Sequence, residues 1–281
     1  MRTGRPSRTA MGAAIHRAAH QVLEGGRIFS DPLALRILGM EEESSVFAAE
    51  RDPSRRLLRL FIAARSRFAE DALKASFARG VQQLVVLGAG LDTYAYRNPL
   101  GDGLRVFEVD HPWTQAWKRR RLEEAAIPVP GNLTFAPVDF EVGALAHGLA
   151  LAGFDPKKQT LFTWLGVVPY LTEEAFLSTL EFITGLPGGA QVVFDYGNPP
   201  ASGPSQDEHA ATQEALTRRV AVVGETFKCH FETAALHAKL RALGFRTLED
   251  LSPAVIRGRF FAGKGGNVPD RGGHLLLAST F

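Results

Sequence analysis

A glycine turn and three downstream acids are spaced as a nucleoside-binding site would need them. Gly88, Ala89 and Gly90 follow the apolar run 84–87. Small residues in such a turn let main-chain N–H and C=O groups approach a ligand that a Cβ would push away. About 20 residues later a second apolar run ends in Asp110, where a carboxylate can accept both hydroxyls of a ribose. Turn and acid at that separation match an adenosine-type cofactor held across two parallel strands. Glu108 lies two residues before Asp110, so both face one side of a strand. Asp139, followed by Phe140, ends a third stretch, 135–140, where an acid can accept from an adenine amino group and the next N–H can meet a ring nitrogen. Each feature has a plainer reading. The glycines suit any tight strand-to-helix connection, and Asp110 and Asp139 suit helix caps, the second for a short helix over 142–151.

The elements that must position these residues follow from the change in hydrophobic period. Residues 7–80 read as helical, with Ala13, Ala14, Ala18, Ala19, Val22 and Leu23 at helical spacing and Gly25-Gly26 as a stop. Asp31-Pro32 opens a helix over 33–38, and Ser54 starts a long helix that Gly80 ends. From Val81 the pattern predicts strands over 84–87, 106–109, 133–136, 161–164, 191–195, 247–251 and 274–279, with helices over 112–126, 172–185 and 233–243. Alternation of this kind predicts an α/β fold, a doubly wound, mostly parallel, seven-stranded, Rossmann-like sheet. The two late strands show no clear helix between them and are expected to form an antiparallel pair. The organisation expected is an N-terminal helical cap, 1–80, and a cofactor-binding domain, 81–281. The Pro- and Ser-rich stretch 198–207 is placed to cover a pocket at the carboxyl ends of the strands.

Composition sets the class. The chain has 281 residues, 45% hydrophobic and 22% charged, with a net charge of +2, which is ordinary for a globular protein. That charge calls for no nucleic-acid partner. No run approaches a membrane span and no signal-type apolar segment follows the basic N-terminus, so a cytoplasmic protein without membrane association is expected. One cysteine, Cys229, excludes an internal disulfide and a cysteine-built metal cluster.

Other constellations are weaker. His16 and His20 stand i, i+4 like a metal pair, but no third ligand completes a site, and no metal is expected. Lys118 to Arg121 form a basic run followed by Glu123 and Glu124, which reads as a solvated helix face. Neither a Gly-x-Ser-x-Gly elbow nor a Walker loop is present.

Taken together, several motifs resemble the leucine carboxyl methyltransferase family, and within it a bacterial branch of S-adenosylmethionine-dependent O-methyltransferases. They are Ala63-Ala-Arg-Ser-Arg-Phe68, Val85-Val-Leu-Gly-Ala-Gly-Leu-Asp-Thr-Tyr-Ala-Tyr-Arg97, Phe107-Glu-Val-Asp-His-Pro112 and Val138-Asp-Phe140, with Arg17-Ala-Ala-His20 and Phe29-Ser-Asp-Pro-Leu-Ala34 upstream. The resemblance implies a class I methyltransferase using S-adenosyl-L-methionine. It implies that Arg65 pairs with the cofactor's carboxylate and that Gly88, Ala89 and Gly90 lie against its methionine part. It implies further that Asp110 holds the ribose, and Asp139 with Phe140 the adenine. A guanidinium fork suits a carboxylate in that role.

One position departs from the family. Where the eukaryotic members carry a glutamate after the fourth strand, this chain has Leu165, while Gly166, Tyr170 and Leu171 remain. Methyl transfer needs in-line positioning above all, and a carboxylate acceptor needs no general base. A hydroxyl acceptor would need one, with His16, His20 and His111 as candidates. Tyr94, Tyr170, Tyr196 and His20 are the acceptor-pocket candidates; no catalytic residue is assigned. The acceptor expected is a small molecule bearing a carboxylate or hydroxyl. A nicotinamide-dependent oxidoreductase and a non-catalytic S-adenosylmethionine-binding protein are the alternatives.

Overall fold

The computed structural model describes residues 7–139, 145–199, 228–261 and 271–281. Phe140, part of the expected 142–151 helix and most of the 198–207 stretch lie outside the described residues. The described residues form a seven-stranded sheet, as the alternating pattern predicts. The chain forms two compact units, Met1–Thr163 and Trp164–Phe281. The division therefore falls at 163/164, and the helices before residue 80 belong to the same unit as the first strands.

In the first unit, α1 (Arg8–Glu24) starts where Ser7 accepts from the Ala10 N–H and ends on Gly25 in the left-handed region. Two short helices follow, α2 (Ala34–Leu38) and α3 (Val46–Glu50). The first begins one residue later than the sequence suggests, and the Asp31 carboxylate before it accepts from the Leu33 N–H and meets three other side chains. Helix α4 (Pro53–Phe77) is capped by Asp52, with Pro53 in its first turn. It buries Leu60, Ile62, Ala63, Ala64, Phe68, Ala69, Ala72 and Leu73.

Four parallel strands complete this unit: β1 (Gln83–Leu87), β2 (Arg105–Asp110), β3 (Leu133–Pro137) and β4 (Thr160–Trp164). Strand β1 pairs with β2 on one side and β4 on the other, and all five of its residues are buried. A near-continuous apolar run is what a parallel strand covered on both faces requires. Helices α5 (Pro112–Glu124) and α6 (Leu145–Leu151) lie along the chain between these strands. The order β3-β2-β1-β4 reverses direction at β1, and ligands in such sheets bind at the carboxyl ends beside that reversal.

The second unit holds α7 (Glu173–Thr184), β5 (Ala190–Gly197), α8 (Thr233–Ala242), β6 (Thr247–Leu251), α9 (Pro253–Phe260) and β7 (Gly273–Ser279). Strand β7 runs antiparallel to both β5 and β6. The expected antiparallel pair is present, but α9 stands between its strands, contrary to the sequence reading. Its only buried residue is Ile256, so no apolar stripe announces it. Phe176 centres the core of this unit, stacked on Trp164 at 5.6 Å and tilted against Phe231 at 4.9 Å.

Candidate functional site

The turn after β1 is built as the glycines predict. Gly88 and Gly90 have φ of 65° and 46°, a backbone region that glycine enters at little cost. A side chain at Gly90 would also be crowded, since a Cβ there would sit 3.0 Å from the Cβ of Ala10 on α1. The turn is tied to β2 by the Ala89 N–H, which donates to the Val109 carbonyl at 3.0 Å.

Asp110 closes this turn. One carboxylate oxygen accepts from the Gly90 N–H at 2.5 Å and the other from the His111 N–H at 2.7 Å. Asp110 is not the cap of α5. His111 takes that role, its Nδ1 accepting from the Trp113 N–H at 3.2 Å. With Nδ1 accepting, a neutral His111 carries its proton on Nε2, which faces Asp139 at 3.4 Å. A carboxylate offers about four lone-pair sites. Two of those on Asp110 are taken, one per oxygen, and one remains on each, the arrangement a vicinal diol can satisfy. Burial raises the carboxyl's pKa, while the two N–H groups and the Lys118 ammonium favour the charged form.

Asp139 is half-buried at the end of β3, and the Val138 N–H beside it donates to the Asp110 carbonyl at 2.9 Å. The carboxyl ends of β1, β2 and β3 thus bring Gly88, Ala89, Gly90, Asp110 and Asp139 into one chain of hydrogen bonds and ion pairs. Arg65 is partly buried on α4, between the buried Ala64 and Ser66.

Sequence reasoning missed the clamp behind the turn. Asp31, almost fully buried, accepts from the Thr93 hydroxyl at 2.7 Å and from Arg17 Nε at 3.3 Å. Arg17 in turn donates to the Leu91 carbonyl at 2.5 Å, and Arg97 grips both oxygens of Glu70 on α4. Burial raises the Glu70 pKa despite that guanidinium. All of these but Glu70 stand in motifs quoted above for the family resemblance, and those motifs were the available signal. Lys118 was misjudged as part of a solvated face. It is 1% exposed, with Nζ 2.7 Å from Glu108 Oε2.

The acceptor-pocket candidates sit in two places. In the first unit, Tyr94 lines a cavity of about 240 Å³ with Phe29, Glu70, Lys74 and Leu100, and its hydroxyl donates to Asn98 at 2.9 Å. His20 is fully buried: Nδ1 meets Glu24 at 3.3 Å and Nε2 accepts from the Ile28 N–H at 3.2 Å. Burial lowers its pKa. His16, its i, i+4 partner, binds Glu50 at 2.8 Å, so the two imidazoles serve separate carboxylates. Among the described residues no group of three or more His, Cys, Asp or Glu is placed to hold a metal.

In the second unit, Tyr170 ends a single 3-10 turn, Val168–Tyr170. Tyr196 is buried and donates to Asp250 at 2.6 Å, the carboxylate that also binds His237 at 2.6 Å and His274 at 2.8 Å. Leu165, which replaces the family glutamate, is half-buried. The N–H of the following Gly166 donates to Asp195 on β5 at 2.5 Å, so an acid does support this turn, from a different strand.

Comparisons with known proteins identify the family. The family described as leucine carboxyl methyltransferase matches residues 10–184. A Bacillus subtilis protein, YktD, classed by name among S-adenosyl-L-methionine-dependent methyltransferases, is 33% identical over 300 residues, covering 95% of both chains. A Mycobacterium tuberculosis protein of the same naming is 30% identical over 228 residues, 75% of this chain and 71% of that one. A DUF574-family structure from Streptomyces avermitilis superposes with a TM-score of 0.57 at 15% identity, covering 95% of this chain and 96% of that one, a likeness of fold. The chain therefore belongs to the leucine carboxyl methyltransferase family and is an S-adenosyl-L-methionine-dependent methyltransferase.

Proposed function

We propose that this enzyme transfers the methyl group to an oxygen of a small-molecule acceptor, a carboxylate in preference to a hydroxyl. The observation that carries the site assignment is Asp110, whose two oxygens are each half-used by backbone N–H groups at the carboxyl ends of β1 and β2. In this reading Asp110 accepts the ribose hydroxyls and Asp139, with Phe140, the adenine edge. Gly88, Ala89 and Gly90 admit the methionine portion, and Arg65 pairs with its carboxylate. When bound, S-adenosylmethionine supplies an electrophilic methyl on a sulfonium. The protein then has to align the acceptor oxygen in line behind that methyl and keep water away.

The preference for a carboxylate is supported by the histidines. His20 has both ring nitrogens engaged and its charged form disfavoured, and His16 is tied to Glu50. His111 spends Nδ1 on capping α5. A carboxylate attacks as its own anion and needs none of them. The test is the chemistry of the product. A methyl ester releases methanol in mild base and a methyl ether does not. Incubation with labelled S-adenosylmethionine and a panel of carboxylic acids and phenols should give base-labile label. Base-stable label would transfer the assignment to hydroxyl acceptors, and saturable binding of NADH in place of S-adenosylhomocysteine would remove the cofactor site.

A further inference from the structure

Lys118 is an expensive residue to bury, and its surroundings show where its charge acts. It lies on α5, 1% exposed, with its ammonium 2.7 Å from Glu108 Oε2 and 5.2 Å from the centre of the Tyr96 ring. Tyr96 donates its hydroxyl to the same Glu108 oxygen at 3.1 Å; Glu108 Oε1 and Lys118 Nζ have no hydrogen-bond partner, so the lysine meets Glu108 as an ion pair. A buried ion pair adds little stability over an apolar pair of similar volume. Packing alone therefore does not account for the charge.

Glu108 and Asp110 are i and i+2 on β2, so their side chains leave the same face, roughly 7 Å apart along the strand. Two carboxylates so placed repel each other, and a cation held between α5 and that face relieves both. Lys118 acts on each of them in the direction of the charged form, against burial, which favours the neutral form. We infer that Lys118 is a positioning residue for the cofactor site, acting through Asp110 by holding its carboxylate charged and ready to accept the ribose hydroxyls.

This inference rests on the assignment of Asp110 to the ribose, and the test separates the two. The other groups facing this cluster are the His111 ring and N–H and the Gly90 N–H beside Asp110, and Asp92 and Tyr96 beside Glu108, with Arg119 near Tyr96. They are common to wild type and variants, so the readout is the ratio of affinities at each pH. S-adenosylhomocysteine binding is measured by calorimetry at about pH 5.5 and pH 8 for wild type, Lys118→Met, Lys118→Gln, Lys118→Arg and Asp110→Asn.

Without the ammonium, Asp110 takes up its proton at a higher pH. Lys118→Met should bind about fivefold more weakly than wild type at the lower pH and within about twofold at the higher. Lys118→Arg should follow wild type at both. Lys118→Gln removes the charge with a polar side chain and carries the same expectation if the Met variant does not fold. An equal loss at both pH values would mark a structural residue and overturn the inference, as would no loss at either. Asp110→Asn should bind poorly throughout. Wild-type binding by Asp110→Asn would overturn the ribose assignment and the inference with it. Poor binding by Asp110→Asn, with Lys118→Met and Lys118→Gln tracking wild type, would overturn the inference alone.

Discussion

Replacing Asp110 by alanine separates what this carboxylate does for the fold from what it does for the ligand. In the free protein it accepts two backbone N–H groups, from Gly90 at 2.5 Å and His111 at 2.7 Å. Deleting it strands two donors, at about 1–3 kcal/mol for each that stays dry, but also removes a carboxylate whose charge burial disfavours. Those effects oppose each other, so the loss of folding stability should be small, about 1 kcal/mol. For binding there is no such offset. Two hydroxyl bonds to a charged acceptor at about 1.5 kcal/mol each give about 3 kcal/mol, roughly a 150-fold weaker S-adenosylhomocysteine complex. The assay is calorimetry with S-adenosylhomocysteine and its 2′-deoxy analogue on both proteins. In wild type the missing hydroxyl should cost about 1.5 kcal/mol, and in the alanine variant almost nothing, so the cycle should show coupling of that size. Additive losses would refute the reasoning, because the hydroxyl and the carboxylate would then not be touching.

Three further outcomes concern the glycine turn, the clamp behind it and the buried Glu50. Gly90→Ala places a Cβ 3.0 Å from Ala10 on a backbone with φ of 46°, and should cost about 1–3 kcal/mol in urea unfolding; an unchanged midpoint would contradict the packing of α1 on the turn. Arg97→Met leaves Glu70 and Asp31 without their shared guanidinium, and should destabilise the protein by about 3 kcal/mol, with Glu70→Gln in the same background recovering part of it. Burial pushes the Glu50 carboxyl up, but His16, Arg55 and Arg59 more than reverse this and hold it near about 2. A depressed carboxyl stabilises the fold above its unfolded value and loses that contribution as pH falls through the folded one. Stability should therefore drop by about 2–3 kcal/mol between about pH 5 and pH 2, and Glu50→Gln should flatten that part of the melting-temperature profile.

Much of the first unit was legible because its signals are local. Glycine at a left-handed turn, an acid at a strand end and a fully apolar strand each declare themselves within a few residues, and β1, β2 and Asp110 followed from them. What stayed hidden depends on which way a long side chain points. Lys118 sits between Trp117 and Arg119 in a run of cations, and only the tertiary position of Glu108 shows that it turns inward. Arg17 and Asp31 read as helix residues because their partners, Leu91 and Thr93, are more than 60 positions away. Tyr196 pointed correctly to a strand end, but its hydroxyl is spent on Asp250 across the sheet, a contact no spacing along the chain encodes. Helix α9 escaped because one buried isoleucine makes no period.

The capping of α5 by His111 ties the identity of one residue to the availability of its neighbour. An acid followed directly by a helix is ordinarily drawn to the helix's own exposed N–H groups, and a carboxylate so occupied has less to offer a ligand. Here the imidazole satisfies the helix and releases the acid to the turn beside it. The pair Asp110-His111 therefore behaves as one inheritable unit. On the proposed ribose assignment, a chain that exchanged the histidine for a residue unable to cap would force its aspartate to choose between helix and nucleoside, and would lose cofactor affinity with the other residues of the site intact.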